Sequence, residues 1–225
     1  QLRAAVDRVT TEFASRYGTA LTGAVNEAWE QGAAFPAASL AGARVEVAFA
    51  QELSRVQLEV ISQMHVDLVR AVSDDFKLRA GRELTLGVAG AKPPFQIMRD
   101  VGELLRTEPL RGEMGTIANQ AERIVRTEMG QAFSIANRVR GDEIAADVPG
   151  LLHYWMSARD GRVRATHSAA DSRYAPGSNP GPLPWDKPFS VGGQQMLYPH
   201  DPRGGAANNV MCRCVDIKYK KEWFR

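Results

Sequence analysis

Two short stretches hold most of the side chains able to do chemistry. The first, Tyr154 to His167, begins as an aromatic, strand-like run. It turns at the Asp160-Gly161 dipeptide and goes straight into Arg162, Arg164 and His167. The second, Asn208 to Cys214, ends in Cys212-Arg213-Cys214. Strand alternation points Cys212, Cys214 and Asp216 one way and Met211, Arg213, Val215, Ile217 and Tyr219 the other. Several chemistries suit these residues. Cys212 or Cys214 with His167 can form a thiolate–imidazolium pair for nucleophilic attack. His167, Cys212 and Cys214, with His200 or Asp201 as a fourth, form a donor set that zinc accepts, although Cys-x-Cys is less typical of zinc than Cys-x-x-Cys. Glu128 with Arg126 and Arg164 can serve as acid/base and charge clamp on a phosphodiester. The plainer expectation is two buried thiols beside a hydrogen-bonded histidine, with no cofactor. The chain contains no Gly-rich phosphate loop, no HExxH and no GxSxG, so the reading is non-enzymatic.

Glu128 needs a positioning element of its own. Ile117, Ala121, Ile124, Glu128, Ala132, Ile135 and Val139 recur at helical steps, which predicts a helix from about 115 to 144 with Glu128 in its apolar seam. A buried carboxylate requires a partner, and a guanidinium fork satisfies it best. Arg126 points to another face, so Arg213 or Arg164 is the predicted mate. The cluster Arg126, Glu128, Trp155, Asp160, Arg164, His167, Asp201, Asn209 and Arg213 is accordingly expected to act as a structural lock.

The remaining elements follow from periodicity and breakers. Leu2, Val6, Val9, Phe13, Tyr17, Leu21, Val25 and Ala28 predict a helix from 2 to about 30, which Gly18 and Gly23 weaken. Gly32 to Pro36 reads as a break, and a second helix is expected from about 37 to 72. His65, at the edge of its stripe, reads as a packed or surface histidine. Gly81, Gly87, Gly90, Pro93 and Pro94 suggest a linker over 73–94, followed by a short helix over 95–106. After Pro149-Gly150 the pattern changes to a strand at 151–158, a turn at 159–162 and a helical piece at 163–171. A Pro-rich loop at 174–193, an extended piece at 194–198 and a strand at 210–219 complete it. The fold class is α+β: a mainly helical N-terminal region over 1–110 and a small mixed module, packed on a helix, over 111–225.

Composition narrows the class further. With 225 residues, 44% hydrophobic and 24% charged, the chain can bury a real core and lacks the apolar run of a membrane span. Its start is charged and periodic, so it is read as helix and not as a secretion signal; lacking Met, it is read as a fragment or a processed chain. Two cysteines one residue apart cannot close an unstrained disulfide, so a reducing compartment is expected. Charge is uneven: 11 Lys and Arg against six Asp and Glu after residue 150, and 17 against 20 before it. The basic, aromatic tail with Lys218, Lys220, Lys221, Trp223 and Arg225 is a candidate contact for nucleic acid or a protein partner.

Read in order, the motifs are Arg126-Thr127-Glu128 on a helix, Trp155 in a strand, and Asp160-Gly161-Arg162-Val163-Arg164 leading to His167. Pro199-x-Asp201-Pro202 and Asn209 before Cys212-Arg213-Cys214 complete the set. This set resembles the phage Mu F-like minor head proteins, the phage head morphogenesis family, over about residues 120–216. After His167 the family tends to a small apolar run ending in Gly, where this chain has Ser168-Ala169-Ala170-Asp171-Ser172. The resemblance implies a virion component present in few copies, assembled in the host cytoplasm. It would associate with the portal and other head proteins and assist procapsid assembly, DNA packaging or DNA ejection. Its contact with packaged DNA would be non-specific, with no membrane and no small-molecule substrate. Some relatives carry a toxin or nuclease domain after this module; none is expected in the 11 residues that follow Cys214.

Overall fold

The structure is a computed structural model, and it describes residues 2–42, 58–59, 67, 71–83, 96, 99–100, 103 and 117–224. Most of the helices expected over 37–72 and 95–106 lies outside these residues, as do His65 and Arg225. The chain divides into two compact units, Gln1–Ala24 with Glu59–Arg126 and Val25–Leu58 with Thr127–Arg225. Every candidate site residue that is described, except Arg126, belongs to the second.

The α+β class holds, with corrections in the helical part. Helix α1 (Leu2–Gly42) is continuous, and the break expected at Gly32 to Pro36 is absent. Pro36 lacks the amide for an intrahelical bond, so packing has to hold the turn. It does so through Phe35, whose ring meets Phe133 edge-on at 5.4 Å. Gly32 allows this approach: a Cβ there would lie 2.2 Å from the Phe133 carbonyl oxygen. Phe13, Leu21, Val25 and Ala28 of the predicted stripe are buried, and Trp29 joins them. Residues 71–83 are helical where a linker was expected from Ser73. Ser73, Phe76 and Ala80 are buried at steps of three and four, an amphipathic period too short to stand out among the glycines that follow.

Helix α2 (Ile117–Asp147) matches the expected element. Its buried face, however, carries Ala132, Ser134, Ala136, Asn137, Arg140 and Ile144, while Ile135 and Val139 are half-buried. Small and polar side chains there let the C-terminal unit come close.

The C-terminal unit begins with β1 (Leu152–Met156) and α3 (Ala165–Tyr174). Then come β2 (Leu183–Pro184), the hairpin β3 (Phe189–Val191) with β4 (Gln194–Met196), a 3-10 turn (Pro202–Gly204), α4 (Gly205–Asn209) and β5 (Val215–Tyr219). The main sheet is antiparallel in the order β2-β1-β5, with Trp155 opposite Asp216 and His153 opposite Lys218. Gly192 and Gly193, at φ 56° and 80°, make the two-residue hairpin turn that favours glycine. The expected strand at 210–219 starts only at Val215, because Met211 sits at φ 57°, off the extended path.

Trp155, Ala170, Tyr174, Phe189, Val191, Met196, Cys212 and Cys214 form the core of this unit. Phe189 packs against Trp155 at 5.7 Å and Tyr174 at 5.0 Å between ring centroids. A second cluster of Leu40, Ile144, Leu151 and Trp185 joins α1 and α2 to the base of the sheet, with Trp223 packed on it. No helix among the described residues is long and apolar enough to cross a membrane.

Overpacking at Gly32 is the sharpest test of these contacts. Gly32→Ala should destabilise by about 1–3 kcal/mol in urea unfolding. Gly23→Ala, where no described atom lies within 4 Å of the added Cβ, should be neutral or stabilise by up to about 1 kcal/mol.

Candidate functional site

His167 stands in the first turn of α3, with its ring edge-on to Trp155 at 5.4 Å. Its Nδ1 lies 3.3 Å from Cys214 Sγ and 3.6 Å from Cys212 Sγ. Its Nε2 lies 3.3 Å from Asn208 Oδ1 at the end of α4. The donor atoms of His167, Cys212 and Cys214 all fall within 4.8 Å of one another, so among the described residues these three form a set able to hold a metal ion. All three are buried, with His167 1% exposed and the cysteines 4% and 5%. Beside them is a small pocket lined by Ala158, Arg162, Val163, Arg164, Met211 and Arg213 as well as by the three donors.

The two sulfurs are not equivalent. A hydrogen bond from Cys214 pulls the Cys212 thiol below its ordinary range, against the effect of burial. The same bond, with burial, pushes the Cys214 thiol up. The Cys214 N–H also donates to Cys212 Sγ at 3.4 Å.

Two straps hold the Cys212–Cys214 segment against the turn before α3. Arg213 forks onto Asp160 at 2.6 and 2.7 Å, holding that carboxyl well below the usual carboxylate range. Arg164 donates to the Val210 carbonyl. A third contact comes from α2, where Thr127 Oγ1 accepts from the Met211 N–H at 3.0 Å. Of the two guanidiniums predicted to meet Glu128, Arg213 is exposed and forks onto Asp160, the turn at Met211 taking it off the sheet's apolar face, and Arg164 is on the Val210 carbonyl. Glu128 is half-buried and Arg126 exposed.

Asp201 is not a fourth donor beside the sulfurs. Its carboxylate accepts from Leu197 N at 2.8 Å, Arg203 N at 3.0 Å and the Arg203 guanidinium, capping the 3-10 turn. Burial alone would raise its pKa, but these bonds bring it below the ordinary value. Asn209 donates to the Asp201 carbonyl at 2.8 Å. His200 packs on the same segment, its Nε2 3.1 Å from the Cys212 carbonyl oxygen.

The basic-tail expectation needs correction at Lys218. That residue is 2% exposed and donates to the Asn137 carbonyl at 2.9 Å, so it is not offered to DNA. Trp223 packs on the second core cluster, and Lys221 stays exposed. The alternation of β5 is as predicted, but its buried side is the polar one, Asp216 and Lys218. Asp216 Oδ1 lies 3.0 Å from His153 Nδ1, and His153 Nε2 lies 3.0 Å from the Lys187 carbonyl. Asn137 of α2 donates to the Asp216 carbonyl at 2.9 Å. Sequence reading missed this network, and Asn208 with it. The available signal was polar residues at both inward positions of an otherwise apolar strand.

Compared with family models, with curated proteins and with solved structures, the chain matches none.

Burial lowers the Lys218 pKa from 10.5 to about 8, against the opposing pull of Asp216. Between those values the unfolded chain binds more protons than the folded one, so this residue makes stability rise with pH across that window. Asp216→Asn should leave the Lys218 ammonium without its carboxylate and cost about 3–5 kcal/mol in urea unfolding at pH 7. Lys218→Met should flatten the rise above pH 8.

Proposed function

We propose that this chain is a minor structural protein of a tailed-phage head. It works in few copies at the portal, assists procapsid assembly, DNA packaging or DNA ejection, and catalyses nothing. The observation that carries the reading is the way the ordered motifs meet one another. Asp160 binds Arg213 across 53 positions, His167 meets Cys214 across 47, and Asn209 reaches the Asp201 backbone across eight. Spaced motifs whose members bond to each other support one folded module of the family they resemble, more than chance matches scattered over a surface. The polar groups are largely spent on internal bonds, which suits a lock better than a reaction centre.

A second reading, a metal- or cysteine-dependent nuclease or transferase, draws on the line of Cys214, His167 and Asn208, with 3.3 Å at each step. Such a line can activate a thiolate. The burial of all three groups weighs against it, since a substrate atom has to reach the sulfur.

The discriminating experiment co-expresses the chain with the portal protein of its phage and assays the purified material on DNA with added divalent metals. Co-elution with the portal ring and no cleavage is the expected result. A free chain that cuts DNA, with the activity abolished by His167→Ala, would reverse the choice.

A further inference from the structure

We propose that His167, Cys212 and Cys214 form a three-ligand site for a thiophilic divalent ion of the zinc class, with its fourth position open to the adjoining pocket. Asn208 sets the histidine tautomer that such a site requires. Its Nδ2 donates to the Gly204 carbonyl at 3.1 Å and faces the Val191 carbonyl at 3.4 Å, so Oδ1 is the atom that meets His167 Nε2. A carbonyl oxygen only accepts, so Nε2 carries the proton and Nδ1 turns a lone pair toward the two sulfurs.

The spacing fits as well. Tetrahedral zinc with ordinary Zn–N and Zn–S bonds places a nitrogen and a sulfur ligand about 3.6 Å apart. Nδ1 lies 3.3 and 3.6 Å from the two sulfurs. Two thiolates and a neutral imidazole cancel the charge of the ion, which removes the obstacle to burying it. The sulfur lone pairs left over also have a donor. The Cys214 N–H points to Cys212 Sγ, and the Trp155 indole shares the buried core with both sulfurs. Trp155 Nε1 is buried with no hydrogen-bond partner among the described residues.

The pocket beside Cys212, His167 and Cys214 has room for about a single water, enough for one exogenous ligand. Asp201 is consumed by its cap, and the donor atoms that gather within 4.8 Å of one another among the described residues are those of His167, Cys212 and Cys214, so the ligand set stops at three protein donors. An ion held there would pin the start of α3 to the segment before β5 and close the long loop between them, coupling metal binding to folding.

The test uses the whole chain, expressed with zinc in the medium, desalted and analysed by mass spectrometry for metal. Parallel samples are loaded with cobalt(II) and read by absorbance. The expected result is about one zinc per chain and, with cobalt, tetrahedral visible bands plus a strong thiolate-to-metal band. Cys214→Ser should reduce that band at least about twofold, and His167→Ala should lower metal content about tenfold or more. His200→Ala should retain the metal. Substoichiometric zinc together with no thiolate band in the unaltered chain overturns the proposal. Loss of metal in His200→Ala equal to that in His167→Ala overturns the ligand set. Should a variant fail to fold by circular dichroism, the cobalt spectrum of the unaltered chain decides alone.

Discussion

The hydrogen bond between Asn208 and the His167 ring is the contact on which the C-terminal unit turns. It joins α4 to α3 and aims the far side of the ring at both sulfurs. The β3–β4 hairpin is part of the same arrangement. A Cβ at Gly192 would come within 2.8 Å of Asn208 Oδ1, so the turn can lie against the amide only without a side chain. Because the amide's other end is anchored on backbone carbonyls, rotating it would break several contacts at once. One short-range polar constraint thus fixes three elements that are distant in sequence.

A second constraint works at the opposite end of β1 and β5. Asp216 and Lys218 face inward where apolar residues would be expected, and they meet His153 and Asn137 there. Buried charges of this kind contribute little net stability but penalise alternatives strongly. Slipping β5 by one residue would turn Ile217 inward and expose both charged groups, so the pairing of His153 with Lys218 is specified against its neighbours. The Asn137 contacts extend that specification to α2, and Arg138, stacked 3.8 Å from the Trp185 ring, adds another link from the same helix. The sheet and α2 are therefore registered by polar groups and sealed by aromatic ones.

These two systems give the same motif residues a consistent character. Asp160, Arg164 and Arg213 strap a loop, Asp201 caps a turn, and His167 with the cysteines closes the core. Each task is one of holding, which agrees with the proposed place of the chain in a larger assembly. An ion at the sulfurs would strengthen the same function and would not require a different one.

Local chemistry made a good part of this legible from the sequence. The α2 period, the β1 run, the short helix carrying His167, and the shared direction of Cys212, Cys214 and Asp216 follow from helical steps, strand alternation and turn residues. Other features depended on groups far away in the chain. Gly32 to Pro36 read as a break until Phe133 packs on Gly32 and Phe35, and Met211 reads as strand until its positive φ sends Arg213 out to Asp160. Lys218 counts as a surface cation until Asn137 and Asp216 enclose it. Sequence spacing encodes what a residue does with neighbours three or four positions away. Which charge meets which partner across 50 or 80 positions is decided only when the layers close and water is excluded.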